Sequence, residues 1–135
     1  MKYLSFLFTL LLILPSCSQQ KHQVEEPAFV PTHILELMVE GMEEPVKAEV
    51  QLSDKGTKHF ITIIMPDEEK IETEYVVTEE NEFRFMMADV KMDNLLTIHY
   101  NGVKNQDGNF EGKFAAMVNG IFREDMSGDF AITAK

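Results

Sequence analysis

Apolar and polar residues alternate along most of the chain after residue 32, and this alternation limits the fold more than any other feature. In Val46–Ser53 every second residue is apolar, and the residues between them are Lys, Glu, Gln and Ser. Successive side chains of a β-strand point to opposite faces, so a period of two predicts a strand with one buried side. Helical spacing is hard to find beyond residue 32. The sequence therefore predicts an all-β protein.

About eight segments have the character of strands, and turn residues separate nearly all of them. The segments are His33–Glu40, Val46–Ser53, His59–Met65, Ile71–Val77, Glu82–Met87, Leu95–Tyr100, Phe110–Val118 and Met126–Ala134. Asn119-Gly120 is the strongest hairpin signal, because both central residues of a type I′ turn need a positive φ. We predict an antiparallel meander of about eight strands that closes into a barrel, with a two-sheet β-sandwich as the alternative.

A short internal repeat supports the closed form. Phe110-Glu-Gly112-Lys-Phe114 and Met126-Ser-Gly128-Asp-Phe130 match at a separation of 16 residues, each with a glycine between apolar neighbours. A glycine inside a strand often marks a tight bend or a close backbone approach. We interpret both glycines as kinks that help to close the sheet.

The start of the chain has the layout of an export signal. Lys2 precedes an apolar run from Leu4 to Leu14, which at about 1.5 Å per residue spans only about 16 Å as a helix. That is roughly half of the ~30 Å hydrocarbon core of a bilayer. The run ends in Leu14-Pro15-Ser16-Cys17, which contains the one cysteine of the chain and resembles the lipobox of bacterial lipoproteins.

The resemblance implies a lipid anchor. Members of this class are cleaved before the cysteine, here between Ser16 and Cys17, and carry diacylglycerol on its sulfur and a further acyl chain, such as palmitate, on its amino group. Ser18 stands where an Asp would signal inner-membrane retention, so the resemblance favours the outer membrane and leaves the leaflet open. An ordinary signal peptide with Cys17 as a free thiol is the alternative. The expected organisation is a signal peptide at 1–16, a lipidated cysteine and flexible linker at 17–31, and one barrel domain at 32–135.

A meander barrel over residues 32–135 resembles lipocalin-like or calycin barrels at the level of fold. No residue role is carried over from that family, because the chain has no Trp for the Gly-x-Trp motif of its first strand. An eight-stranded barrel is either filled by side chains or holds one small ligand. If the interior is hollow, we expect an apolar molecule to contact Thr73, Tyr75, Phe85, Thr97, His99 and Phe114.

Charge is the second guide to function. The chain has 12 Lys and Arg against 23 Asp and Glu, a net charge of −11, which is the wrong sign for binding nucleic acid. In an up-and-down barrel, alternate turns lie at the same end. The first, third, fifth and seventh turns collect Glu43, Glu44, Asp67, Glu68, Glu69, Asp89 and Asp93, joined by Glu124 and Asp125 if the last hairpin bends there. This acidic rim predicts a cationic partner, with simple solubility as the alternative.

Sequence motifs of catalysis are missing. The chain has no Gly-x-Ser-x-Gly, phosphate loop, His-Glu-x-x-His or dinucleotide fingerprint. We therefore predict no catalytic residues, no metal site and no cofactor. The sequence favours a non-enzymatic envelope lipoprotein that binds either a small apolar ligand inside the barrel or a basic protein at the acidic rim. The alternatives are a structural or assembly subunit of an envelope complex with a filled core, and an accessory domain of a hydrolase system.

Overall fold

The structure is a computed structural model that describes residues 28–135. Eight strands follow one another along the chain: β1 (His33–Val39), β2 (Val46–Lys55), β3 (Lys58–Ile64), β4 (Lys70–Val77), β5 (Glu82–Lys91), β6 (Asn94–Lys104), β7 (Phe110–Val118) and β8 (Ile121–Ala134). Each strand pairs antiparallel with the next, and β8 pairs with β1. The all-β prediction is confirmed, and the sheet is a closed barrel rather than a two-sheet sandwich.

Residues that alternate in the sequence lie alternately on the inside and the outside of the barrel. In β5 the side chains of Phe83, Phe85 and Met87 are buried, whereas Arg84 and Met86 between them are exposed. The same alternation places apolar residues from each of the eight strands toward one common interior. Burial of these side chains is the main favourable contribution to folding.

Several strands, above all β5, β6 and β8, are longer than the sequence predicts. β5 continues to Lys91 and β6 begins at Asn94, so a two-residue turn replaces the longer turn expected at Asp89–Asp93. Met92 and Asp93 form it with φ values of 50° and 64°, the conformation that matches the twist of a hairpin. This turn lacks glycine and was therefore hard to find. β8 begins at Ile121 instead of Met126, directly after the turn at Asn119-Gly120, whose positive φ values confirm the hairpin prediction.

Aromatic side chains fill the interior. The rings belong to Tyr75, Phe83, Phe85, Tyr100, Phe110, Phe114 and Phe130. Phe85 stacks on Tyr100 with ring centroids 4.1 Å apart, and Phe83 lies 4.3 Å from Phe110. Burial raises the pKa of the Tyr100 hydroxyl well above its ordinary value. The neutral phenol is thus part of the core.

The glycines of the internal repeat lie where backbones come close together. A Cβ on Gly112 would press on the carbonyl oxygen of Asn101, and one on Gly128 would press on that of Met38. Gly128 also stands opposite Phe114 in the ladder between β7 and β8. A larger residue at either glycine would force the neighbouring strand outward, as expected at points where a sheet curves to close.

The chain enters the barrel at the end opposite the first turn. The Thr32 N–H donates to the Val50 carbonyl, just before β1 begins at His33. The predicted signal peptide, Ser16, Cys17 and most of the predicted linker lie outside the described residues. Across residues 28–135, no helix has the length and apolar character to span a bilayer.

Candidate functional site

Four turns meet at one end of the barrel, because each strand runs antiparallel to the one before it. They are the connections β1–β2, β3–β4, β5–β6 and β7–β8. We call this end the acidic end. Most of its acids are exposed, and Asp89 is half-buried because it lies within β5 rather than in the turn. The acids are Glu43, Glu44, Asp67, Glu68, Glu69, Asp89, Asp93, Glu124 and Asp125.

Two of the basic side chains at this end are paired with acids of their own strand. Arg123 donates two hydrogen bonds to the Asp125 carboxylate, at 2.9 and 2.7 Å. These bonds hold the pKa of Asp125 below its ordinary value. Lys91 lies 3.5 Å from Asp89. The negative charge on the β1–β2 and β3–β4 connections, offset in part by Lys70 at the start of β4, is therefore the main charge that a partner would meet at this end.

A large bulge in β8 brings Glu124 and Asp125 to the acidic end. Phe114 pairs with Gly128, but Ala116 pairs with Arg123, so residues 124–127 of β8 lie opposite one residue of β7. Ser127, which is buried, holds the bulge.

The Ser127 hydroxyl accepts the Ala116 N–H at 3.0 Å and donates to the Arg123 carbonyl at 2.6 Å. The hydroxyl thus replaces ladder bonds that the bulge interrupts. Glu124 and Asp125 then line an open cleft of about 420 Å³ with Glu40.

The ladder between β4 and β5 stops well short of the acidic end. Only Tyr75–Val77 and Phe83–Phe85 are paired within the described residues. Where the ladder stops, the Thr73 hydroxyl donates to the Met86 carbonyl at 3.0 Å. From Met86 to Lys91, β5 pairs with β6 alone among the described strands. Similarly, the β1–β8 ladder covers Gly128–Ala134 of β8, and beyond it the Glu40 N–H donates to the Ser127 carbonyl at 3.0 Å.

These two gaps leave a pair of hairpins bounded by sheet edges. We call them the double hairpin: residues 86–97 of β5–β6 and residues 116–125 of β7–β8. Asn119 joins their tips. Its N–H donates to the Leu95 carbonyl at 2.8 Å, its side-chain oxygen accepts the Leu95 N–H at 2.9 Å, and its amide donates to Asn94 at 2.8 Å.

The double hairpin exposes large apolar side chains amid the acids. Val90 is 68% exposed, Met92 95%, Ile121 69% and Phe122 55%. Leu95 pairs with Val90 on the outer face and is also exposed. Val90, Leu95 and Phe122 share the outer face of the sheet, and an exposed apolar patch with a polar rim is typical of interaction sites. Sequence reasoning missed these residues, although Ile121 and Phe122 directly after an Asn-Gly turn were a signal that apolar side chains lie at a hairpin tip.

The six residues predicted to contact an interior ligand do not gather in one cavity. Tyr75, Phe85 and Phe114 are buried among the aromatic rings of the core. Thr73 points inward and is half-buried. Thr97 and His99 lie on the outer face of β6, where they pair with Ala88 and Met86.

A second cleft, of about 680 Å³, lies on the outside of β2–β4. Its lining mixes both charges with polar and aromatic groups, including Lys55, Lys70, Glu72, Thr62 and Phe29. Lys55 and Glu72 pair within it at 2.7 Å. Among residues 28–135, no three His, Cys, Asp or Glu side chains are grouped closely enough to hold a metal ion.

No protein-family model matches the chain, and neither curated proteins nor solved structures give a significant match. The protein can therefore be classified only by its fold and by the features of its surface. The chain is a closed, eight-stranded antiparallel β-barrel, consistent with a lipocalin-like fold. Its distinguishing feature is an apolar double hairpin at an acidic end.

Proposed function

We propose that the protein is a lipid-anchored, non-enzymatic protein of the bacterial envelope that binds a cationic protein at its acidic end. The observation that carries the proposal is the exposed apolar surface of Val90, Met92 and Phe122 at the end where the acidic turns meet. Apolar contact supplies affinity, and charge selects a basic partner and speeds its approach.

The anchor follows from the lipobox resemblance at Leu14-Pro15-Ser16-Cys17. Two or more acyl chains on Cys17 would make release from a membrane negligible. The 14 residues from Ser18 to Pro31 reach about 45 to 50 Å when fully extended. β1 starts at the end opposite the acidic end, so the tether leaves the acidic end free to face away from an outer membrane.

The packed interior favours a surface role over the storage of a small apolar molecule. Rings such as Phe83 and Phe110 are already in contact where such a ligand would lie. A filled barrel with an exposed apolar hairpin also suits the second candidate, a structural or assembly subunit of an envelope complex. In that case the partner at the double hairpin is another envelope protein.

Binding of lysozyme, a small basic protein, tests the cationic-partner proposal. The full chain, purified in detergent, is compared with a variant carrying Glu43→Gln, Glu44→Gln, Glu68→Gln and Glu69→Gln. We expect about tenfold weaker binding at low salt and a flatter dependence on salt concentration. The matched control removes the same charge at the other end, with Glu79→Gln, Glu80→Gln, Asp107→Asn and Glu111→Gln. If both variants lost the same amount of lysozyme affinity, the carboxylates at the acidic end would serve only to keep the protein soluble.

The anchor has a separate test. Cells that express the chain are fed an alkyne analogue of palmitate, and incorporation is compared between the natural chain and Cys17→Ser. We expect label in the natural chain alone. An unlabelled natural chain would favour the ordinary signal peptide.

A further inference from the structure

The edge of β5 at the acidic end has the backbone of an incomplete sheet. Alternate N–H and C=O groups of a strand point to each side, and over Met86–Lys91 β6 takes only one side. The β4–β5 ladder is confined to residues 75–77 and 83–85. Beyond the Met86 carbonyl, which the Thr73 hydroxyl occupies, this leaves the other side open in the described chain. Unpaired backbone groups of this kind are a template for another strand.

The side chains along this edge specify what would fit beside it. Met86, Ala88 and Val90 lie on the outer face and are exposed, which suits apolar neighbours. Asp89 lies on the opposite face. A strand that added here would therefore meet apolar surface on the outer face. On the other face it would meet the buried Met87 and the Asp89 carboxylate, which lies 3.5 Å from the Lys91 ammonium.

The far side of the gap adds negative charge. β4 begins at Lys70, directly after the exposed residues Asp67, Glu68 and Glu69 of the β3–β4 turn. These carboxylates repel a second copy of the chain, whose net charge is −11. They attract an extended segment that carries lysine or arginine.

The edge of β8 is less suited to the same role. Residues 123–125 are all charged, and Arg123 is bonded to Asp125. The bulge at residues 124–127 also breaks the regular spacing of backbone groups. Charges and bulges are the devices that blunt an edge against strand addition. β5 from Met86 to Val90 has no bulge, and its one charged residue is Asp89.

We propose that an extended segment of a cationic partner adds as a ninth strand to β5 along Met86–Lys91, with apolar residues alternating with lysine or arginine. Its apolar residues contact Met86, Ala88 and Val90, and its basic residues face Asp89 and the β3–β4 turn. This inference rests on the proposed function, because it names how the cationic partner is held.

Two peptides of identical composition test the mode of binding to the full chain in detergent. In one, valine and lysine alternate, and in the other the valines and lysines form separate blocks. We expect the alternating peptide to bind about tenfold more tightly. We also expect hydrogen exchange to slow at the alternate amides of Met86–Lys91 that face away from β6, while the amides of Ile121–Asp125 do not change.

A pair of variants tests the contacting face. Val90→Lys puts a charge on the apolar side of the edge, and Val103→Lys puts the same charge on an exposed valine of β6 near the opposite end. We expect Val90→Lys to weaken binding of the alternating peptide about tenfold. Val103→Lys should weaken its binding by no more than about twofold. Both positions are exposed, so the fold tolerates either change, and circular dichroism checks this.

Three results would overturn the inference. These are equal binding of the two peptides without new amide protection, protection at Ile121–Asp125 instead of β5, and equal effects of the two lysine variants. Each leaves the proposed function standing if lysozyme still binds in a way that depends on Glu43, Glu44, Glu68 and Glu69. Loss of both peptide and lysozyme binding in the natural chain would remove the proposed function as well.

Discussion

The two ends of this barrel are made by the same eight strands but differ in how completely the sheet is paired. At the end of the β2–β3, β4–β5 and β6–β7 turns, the ladders run up to the turns, as in the pairs Lys55 with Lys58 and Val77 with Phe83. At the acidic end, two ladders stop early and apolar side chains are exposed. Elements with few buried contacts open most readily, and binding surfaces are drawn from them. The difference therefore separates the part that maintains the fold from the part that is available to a partner.

The largest expected effect contrasts two phenylalanines. Phe83 is fully buried, whereas Phe122 is 55% exposed. Phe83→Ala should lower the free energy of unfolding by about 3 to 5 kcal/mol, because it leaves a cavity among the aromatic rings. Phe122→Ala should cost less than about 1 kcal/mol. Urea unfolding followed by circular dichroism measures both, and similar losses would show that the double hairpin is part of the core.

Two glycines provide the next contrast. Gly128→Ala should lower the free energy of unfolding by about 1 to 3 kcal/mol, because the added Cβ has no room against the Met38 carbonyl. Gly120 has a φ of 79° and open space around it, and asparagine tolerates that conformation. Gly120→Asn should therefore change stability by no more than about 0.5 kcal/mol. A neutral Gly128→Ala would contradict close backbone approach as the reason for the repeat.

Asn119 tests whether the two hairpins act as one unit. Asn119→Gly keeps a residue that accepts the φ of 51° but removes the side-chain bonds to Leu95 and Asn94. The Leu95 amide should exchange its hydrogen about tenfold faster, whereas global unfolding should change little. Asn101→Ala, an exposed asparagine on the same strand as Leu95, is the control. Unchanged exchange at Leu95 would show that the tips are held together by other contacts.

The smallest effect concerns pH at the fully paired end. Burial lowers the pKa of His33 below its ordinary value of 6.5, so the unfolded chain binds more protons at this site than the folded chain near that pH. The free energy of unfolding is therefore higher above pH 6.5. Part of it is lost as the pH falls through 6.5 toward the folded-state pKa, because the unfolded chain takes up the proton first. His33→Gln should therefore make the stability less dependent on pH between about 5 and 7. NMR titration of the imidazole checks the shift directly, and a value at or above 6.5 would contradict it.

Local patterns predicted the strands because burial of one face is a local property of a strand. The alternation in Val46–Ser53 and the Asn119-Gly120 turn each specify an element from a few residues. Strand ends were less accurate. The turn at Met92 and Asp93 adopts positive φ without glycine, and its conformation is imposed by the pairing of β5 with β6 over the whole hairpin.

The acids of the acidic end could also be predicted from the sequence. Strand order alone collects Glu43, Glu68 and Asp93 at one end, because antiparallel strands reverse direction at every turn. The apolar residues beside them were not predicted. Val90 falls within the turn expected at Asp89–Asp93. It is exposed because β5 continues to Lys91 and places Val90 on its outer face, opposite Leu95.

By itself, the sequence determined the all-β class, the number of strands, the excess of negative charge and the resemblance to a lipoprotein signal. Each of these is written in composition or in the spacing of neighbouring residues. Only the tertiary structure decided that the interior is packed with rings, that Thr97 and His99 lie on the outer face, and that β5 has an open edge. Those features depend on which strands pair and on where the pairing stops. The pairing is determined by contacts between residues that are far apart in the chain.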